Sequence, residues 1–241
     1  MKKITLSLFI AASTLFLSGC LVSSAISTAI MVSNDRRTAG EVVDDKGIEF
    51  SLFAWTGEEK ILENTHLNFL VYNKEVLVTG EVPTRTIRDH VIKQVPTKDF
   101  KIKRVINEIR IAKSSGLLSR TKDSAITLKT KLAFQSQDVF NPLHIEMTTE
   151  NRTIYLMGAL TTREADKATK IASTIGGVKR VVKLFNYLKT IPAAEVARAK
   201  EKKAEAERKK KLESERVVME AKKAELRRQI RALDPNSGTD F

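Results

Sequence analysis

The chain has 241 residues, 42% hydrophobic and 29% charged, enough for one large domain or two small ones with appendages. Its single cysteine excludes an intramolecular disulfide, so the folded part must stand on a hydrophobic core. With 42 Lys and Arg against 29 Asp and Glu the formal charge is +13, which points to polyanionic partners: anionic lipid head groups, cell-wall polymers or nucleic acid.

The first residues narrow that choice. Met1-Lys2-Lys3 is a positive start, and Ile4–Leu17 is an apolar run too short for a permanent span, which needs about 20 residues. It ends in Leu17-Ser18-Gly19-Cys20, where small side chains leave the backbone open to a peptidase and the thiol follows directly. This resembles the lipobox of bacterial lipoproteins. The resemblance implies a signal peptide over 1–19 and lipid attachment on Cys20, each buried methylene of the acyl chains contributing about 0.8 kcal/mol. Loss of Lys2 and Lys3 with the leader lowers the balance to 40 against 29, or +11. Export argues against nucleic acid. Leu21, where retained lipoproteins carry Asp, implies an outer-membrane anchor facing the periplasm. Residues 20–43 read as a tether near the bilayer, apolar from Leu21 to Val32 and then polar through Arg36-Arg37.

The middle of the chain nearly repeats itself at an offset of 78 residues. Asp45 and Ile48 recur as Asp123 and Ile126, His66-Leu67 as His144-Ile145, Gly80 as Gly158, and Thr84-Arg85 as Thr162-Arg163. After two extra residues in the first copy, Ile102–Ile106 recurs as Val178–Val182. That period is too long for a solenoid unit, so two tandem small domains are expected. Each should begin with a helix near Asp45 or Asp123, read as N-caps. In the second copy Ile126, Leu128 and Leu132 form an incomplete apolar stripe on it. A hairpin follows, Leu67-Phe69-Val71 returning as Val76-Leu77-Val78, and Ile145-Met147 returning as Ile154-Tyr155-Leu156, with turns at Asn73-Lys74 and Asn151-Arg152. A second helix starts at Thr84, or at Thr161 or Thr162, where Thr161-Thr162-Arg163-Glu164 fits a capping box. Gly176-Gly177 closes that helix, and a last strand holds Val105-Ile106 or Val181-Val182. The fold class is α+β, order αββαβ, with helices packed on one face of a small sheet.

The order helix, hairpin, Gly80 or Gly158, capped helix, and Gly177-Val178-Lys179-Arg180-Val181 before the last strand resembles the BON domain. The first copy, 44–113, departs from it where Asp99-Phe100-Lys101 replaces the Gly-Val turn, and a rearranged exit from its second helix is expected there. The second copy spans 121–190. A lipobox followed by two such domains is similar to a group of outer-membrane lipoproteins. The likeness implies no enzymatic activity and binding of anionic phospholipid through the first helix of the second domain. It also implies a role in envelope integrity, and association with outer-membrane assembly or division-site proteins.

The residues agree with an absence of catalysis. His66 and His144 occupy equivalent repeat positions, and no metal-ligand spacing, phosphate loop or nucleophile elbow is present, so no catalytic residue, metal or cofactor is expected. By alignment on Asp123, the aromatic residue that relatives present to the bilayer is Ala125 here, so the expected phospholipid contacts are Ile126, Lys129, Lys131 and Phe134. Residues 193–233 lack Gly and Pro, and their Ala, Glu, Lys and Arg predict a long charged helix. Leu212, Met219, Leu226 and Leu233 recur every seven residues, but Arg216 and Lys223 at the companion positions leave any coiled coil weak. Residues 234–241 read as a disordered tail. A second reading makes the domains spacers and this helix the recruiter of an envelope or cell-wall partner.

Overall fold

Each copy is organised by a two-residue hairpin turn that its own residues disfavour. Asn73 and Lys74 have φ of 50° and 67°, and Asn151 and Arg152 have 47° and 62°. Left-handed backbone at both central positions matches the twist of the flanking strands, but it strains Lys and Arg. An aspartate supplies the compensation. Asp45 accepts hydrogen bonds from the Asn73 and Lys74 amides at 2.7 and 2.8 Å, and Asp123 accepts from Asn151 and Arg152 at 2.9 and 2.8 Å.

Those aspartates do not start helices, contrary to the sequence expectation. In the computed structural model, which describes residues 35–233, α1 (Ala39–Glu58) begins earlier, capped by Thr38 in a capping box with Glu41. The equivalent α3 (Leu117–Gln135) begins after Gly116, so Asp45 and Asp123 lie about two turns inside their helices and face the hairpins. The expectations for residues 1–34 and 234–241, Cys20 among them, fall outside the described residues.

The first domain continues with β1 (His66–Tyr72), β2 (Glu75–Val82), α2 (Arg85–Gln94) and β3 (Arg104–Ile111). The second has β4 (Ile145–Glu150), β5 (Thr153–Thr161), α4 (Thr162–Thr174) and β6 (Arg180–Leu188). In each sheet the middle strand pairs antiparallel with its hairpin partner and parallel with the strand after the crossover helix. Thr84 caps α2 through the Ile87 amide, and Glu164 accepts from the Thr161 amide to cap α4. The rearranged exit from α2 is a short 3₁₀ turn, Val95–Thr97, after which Asp99 accepts from the Lys101 amide and Phe100 stands 94% exposed. The chain then rejoins the common plan: Lys103 donates to the Lys74 carbonyl as Lys179 does to Arg152.

Both faces of the central strands are covered. Val76, Val78 and Val82 pack with Ile48, Leu52, Trp55 and Val91 under the first domain's helices, while Ile154, Leu156 and Leu160 pack with Ile126, Phe134, Ala168 and Ala172 in the second. The alternate residues Leu77, Tyr155 and Met157 join Leu70 and Tyr72 in a third core between the two sheets. The domains therefore stack sheet to sheet, with helices outermost.

Arg36 and Arg37, read from sequence as the end of the tether, are built into that junction. Arg36 donates to both Glu164 carboxylate oxygens at 2.8 and 2.9 Å and to the Ala159 carbonyl. Arg37 bonds Asp45 in the first domain and Glu146 in the second, and lies 4.3 Å over the Tyr72 ring. Burial opposes its charge, but Asp35, Asp45 and Glu146 outweigh that and hold the guanidinium more basic than usual.

The same junction makes two phenols reluctant acids. Burial pushes Tyr72 up to about 12, and burial with the nearby Glu108 does the same to Tyr155. A folded-state value raised above the ordinary 10 gives stability that is full below pH 10 and lost as pH climbs through 12. Phenolate absorbance should show two of the chain's three tyrosines ionising near pH 12, with circular dichroism reporting loss of structure over the same interval.

The helix α5 (Ala193–Leu233) has 41 residues, about 60 Å at 1.5 Å per residue, and belongs to a separate compact unit. Its Leu212, Met219 and Leu226 are exposed. Among the described residues no helix is long and apolar enough to cross a membrane.

Candidate functional site

The helix α3 divides its side chains cleanly. Asp123, Ile126, Thr130 and Phe134 follow helical spacing and point inward. Ile126 and Phe134 are 5% and 0% exposed, and Phe134 stacks edge-on against Phe140 with centroids 5.1 Å apart. Two of the four expected lipid contacts therefore belong to the core, because the stripe that includes polar Thr130 is the buried one. Lys129 and Lys131 are on the surface, as a contact role requires.

The outer face carries what the inner one does not. Leu117, Leu118, Leu128 and Leu132 are exposed by between 59% and 80%. At about 100° per residue, Leu128 and Leu132 lie side by side with Ala125, with Lys131 on one flank and Lys129 and Lys122 on the other. Exposing these leucines serves no folding purpose among the described residues, and a leucine strip edged by lysines is the pattern of an interfacial helix. Counting the helical period from Asp123 rather than from the most apolar residues would have found this face in the sequence.

A cleft of about 390 Å³ opens beside it, lined by Arg120, Ser124, Thr127 and Lys131 of α3, His66 and Asn68 of β1, and Thr148–Glu150 of β4. The Asn68 amide donates to Glu150 at 2.7 Å, and His66 Nε2 lies 3.6 Å from the same carboxylate, so the edges of the two sheets are joined at the cleft floor. Thr127 donates to Thr149 across it at 2.8 Å. The trough sets these hydrogen-bonding groups beside the apolar side chain of Leu128.

The family model of the BON domain matches residues 44–113 and 122–189. The chain belongs to the BON-domain family. Each BON match contains one hairpin, one crossover helix and one three-stranded sheet of the fold described above. Among curated relatives, the outer membrane lipoprotein DolP of Haemophilus influenzae is 30% identical over 191 residues, which cover 78% of this chain and 97% of that protein. The 21 kDa hemolysin of Actinobacillus pleuropneumoniae is 28% identical over 155 residues, covering 64% and 79%. Among solved structures, CdsD, a structural protein of the type III secretion system of Chlamydia trachomatis, aligns over 61% of this chain and 92% of that one. Identity there is 10% and the TM-score is 0.24, a level that adds nothing to the fold. The chain is thus a dual BON-domain protein similar to DolP, with a long C-terminal helix.

Proposed function

We propose that this chain is a non-enzymatic lipoprotein, anchored through Cys20 in the outer membrane and facing the periplasm, that binds anionic phospholipid through the second BON domain and supports envelope integrity. The supporting observation is the outer face of α3, where Leu128 and Leu132 stand exposed between Lys129 and Lys131. The leucines supply apolar area for the acyl boundary, and the lysines sit where phosphates would meet them. The Haemophilus relative is named an outer membrane lipoprotein, which supports the location.

The test uses the mature chain with Cys20→Ser, so that no acyl chain masks the contact. It should sediment with vesicles of phosphatidylethanolamine and phosphatidylglycerol, and less with phosphatidylcholine alone. Leu128→Ser with Leu132→Ser should remove most of the binding, each leucine being worth up to about 1.5–3 kcal/mol when fully buried. Lys129→Gln with Lys131→Gln should weaken it by about 1 kcal/mol per charge, and salt should imitate that loss. Equal recovery with both vesicle types, unaffected by any of these changes, would sink direct lipid recognition.

A second reading rests on α5, whose 41 residues carry exposed Leu212, Met219 and Leu226. In that reading α5 recruits an envelope or cell-wall partner and the BON domains act as spacers. Truncation after Lys189 separates the two, since it should abolish partner recovery in the second and leave vesicle binding intact in the first.

A further inference from the structure

We propose that α1 of the first BON domain is a second bilayer-contact element, an aromatic one formed by Phe50 and Phe53, that enters the same membrane as α3. This inference rests on the lipid-binding reading above and extends it to a helix that reading does not use.

The observation is exposure where folding would have buried. Phe50 is 74% exposed, Phe53 71% and Val43 69%, all on α1, while Ile48, Leu52 and Trp55 of the same helix fill the core. Large aromatic side chains left this open, on a helix with a complete core face, mark a contact surface. The repeat says which contact. Shifted by 78 residues, Phe50 falls on Leu128 and Ala54 on Leu132, so α1 presents apolar groups at the positions that form the outer face of α3.

The two faces also border one trough. Strand β1 is the edge strand beneath α1, and β4 is the edge strand beneath α3. Those edges meet through Asn68 and Glu150. Asn68 lines the groove that holds Phe50 and Phe53 as well as the cleft that holds Leu128 and Lys131. Lys46 of α1 reaches Glu146 of β4 at 4.0 Å on the same side.

A fluid surface fits this arrangement better than a rigid partner does. Two apolar helix faces flank a floor of His66, Asn68 and Glu150, and lipid head groups and water can fill that floor while acyl chains close around the helices. A flat protein surface would span the two helix faces and leave that recessed floor as a gap. The chain places such a surface within reach, because α1 begins 19 residues after Cys20, at most about 65 Å of extended chain. The outer face of α1 carries Lys46 and little other positive charge, so its contribution should be apolar, with aromatic rings seated at the head-group level.

The experiment again uses the mature chain with Cys20→Ser and vesicles of phosphatidylethanolamine with phosphatidylglycerol. Phe50→Ser with Phe53→Ser should lower partitioning on the order of tenfold or more. That loss should persist at high salt, unlike the loss from Lys129→Gln with Lys131→Gln. Melting should be unchanged, because neither phenylalanine is in the core. In a separate variant, Phe50→Trp should shift to the blue on binding and be quenched by brominated acyl chains, above the constant signal of buried Trp55.

Wild-type binding with no effect of the double serine change and no quenching at position 50 overturns the inference while leaving α3 as the contact. Self-association that the serine changes dissolve, with vesicle binding unaltered, assigns the patch to a second copy and also overturns it. Failure of the unsubstituted chain to bind any vesicle overturns the lipid-binding reading itself.

Discussion

Asp45→Ala is expected to cost about 4–5 kcal/mol of stability, and Asp123→Ala about 2–3, read as shifts in urea midpoint at constant slope. Both changes strip two turn amides of their acceptor in a hairpin already strained by non-glycine residues at positive φ. Asp45 is in addition fully buried and paired with Arg37 at 2.9 Å. Its loss therefore leaves a buried guanidinium with fewer partners, while among the described residues Asp123 has no such dependent. A double-mutant cycle isolates the difference. Arg37→Ala should be much less damaging on top of Asp45→Ala than alone, and close to additive with Asp123→Ala. Asn at position 45 should recover part of the loss, since an amide keeps one acceptor oxygen where the carboxylate uses two. If the two alanine variants lose equal stability, the Arg37 pair contributes nothing. With total stabilities of about 5–15 kcal/mol for ordinary domains, the Asp45 variant should sit near the edge of folding.

The same aspartates show where sequence reading succeeds and where it stops. Recurrence of Asp45, His66, Gly80 and Thr84 one repeat later reveals two domains and the order of their elements, because those residues do the same local work in each copy. What Asp45 does is not local. A carboxylate that caps a helix and one that holds a hairpin turn 28 residues away are the same residue type, and Thr38-x-x-Glu41 was the readable cap. Arg36 looked like the basic end of a tether, but its partner Glu164 lies 128 residues further on. The unbroken apolar runs Val76–Val78 and Ile154–Met157 did carry a signal. Strands buried on one face alternate, and these do not, because the second domain covers the other face. The candidate site was half legible. Lys129 and Lys131 are on the surface, whereas Phe134, an aromatic at the helix end, is buried, and Leu128 and Leu132 face outward. The exposed Phe50 and Phe53 are legible by the same count, because Asp45, Ile48 and Leu52 set the inner face of α1 and leave both rings on the outer one.

The glycines should give the other large effect, and the same substitution should change sign along the chain. A Cβ on Gly80 would stand 1.9 Å from the His66 carbonyl oxygen, on a residue with φ of +114°, and a Cβ on Gly158 would stand 2.4 Å from the His144 oxygen. In both cases the obstacle is backbone, at the first residue of β1 for Gly80 and at the residue just before β4 for Gly158, which cannot move without parting the hairpin. Alanine at either position should thus cost roughly 4 kcal/mol or more, Gly80 the worse of the two because dihedral strain adds to the clash. Gly177 also has positive φ, but its obstacle is the tip of Ile126 at 3.2 Å, a side chain able to yield, so Gly177→Ala should cost about 1 kcal/mol. Gly47 lies within α1, and nothing approaches a Cβ there within 4 Å. Alanine should stabilise that helix by about 0.5–1 kcal/mol. Melting temperatures of the four variants should rank in that order, lowest for Gly80. A Gly80→Ala protein as stable as the parent would mean that β1 does not hold the register described, and the trough between α1 and α3 would lose its floor.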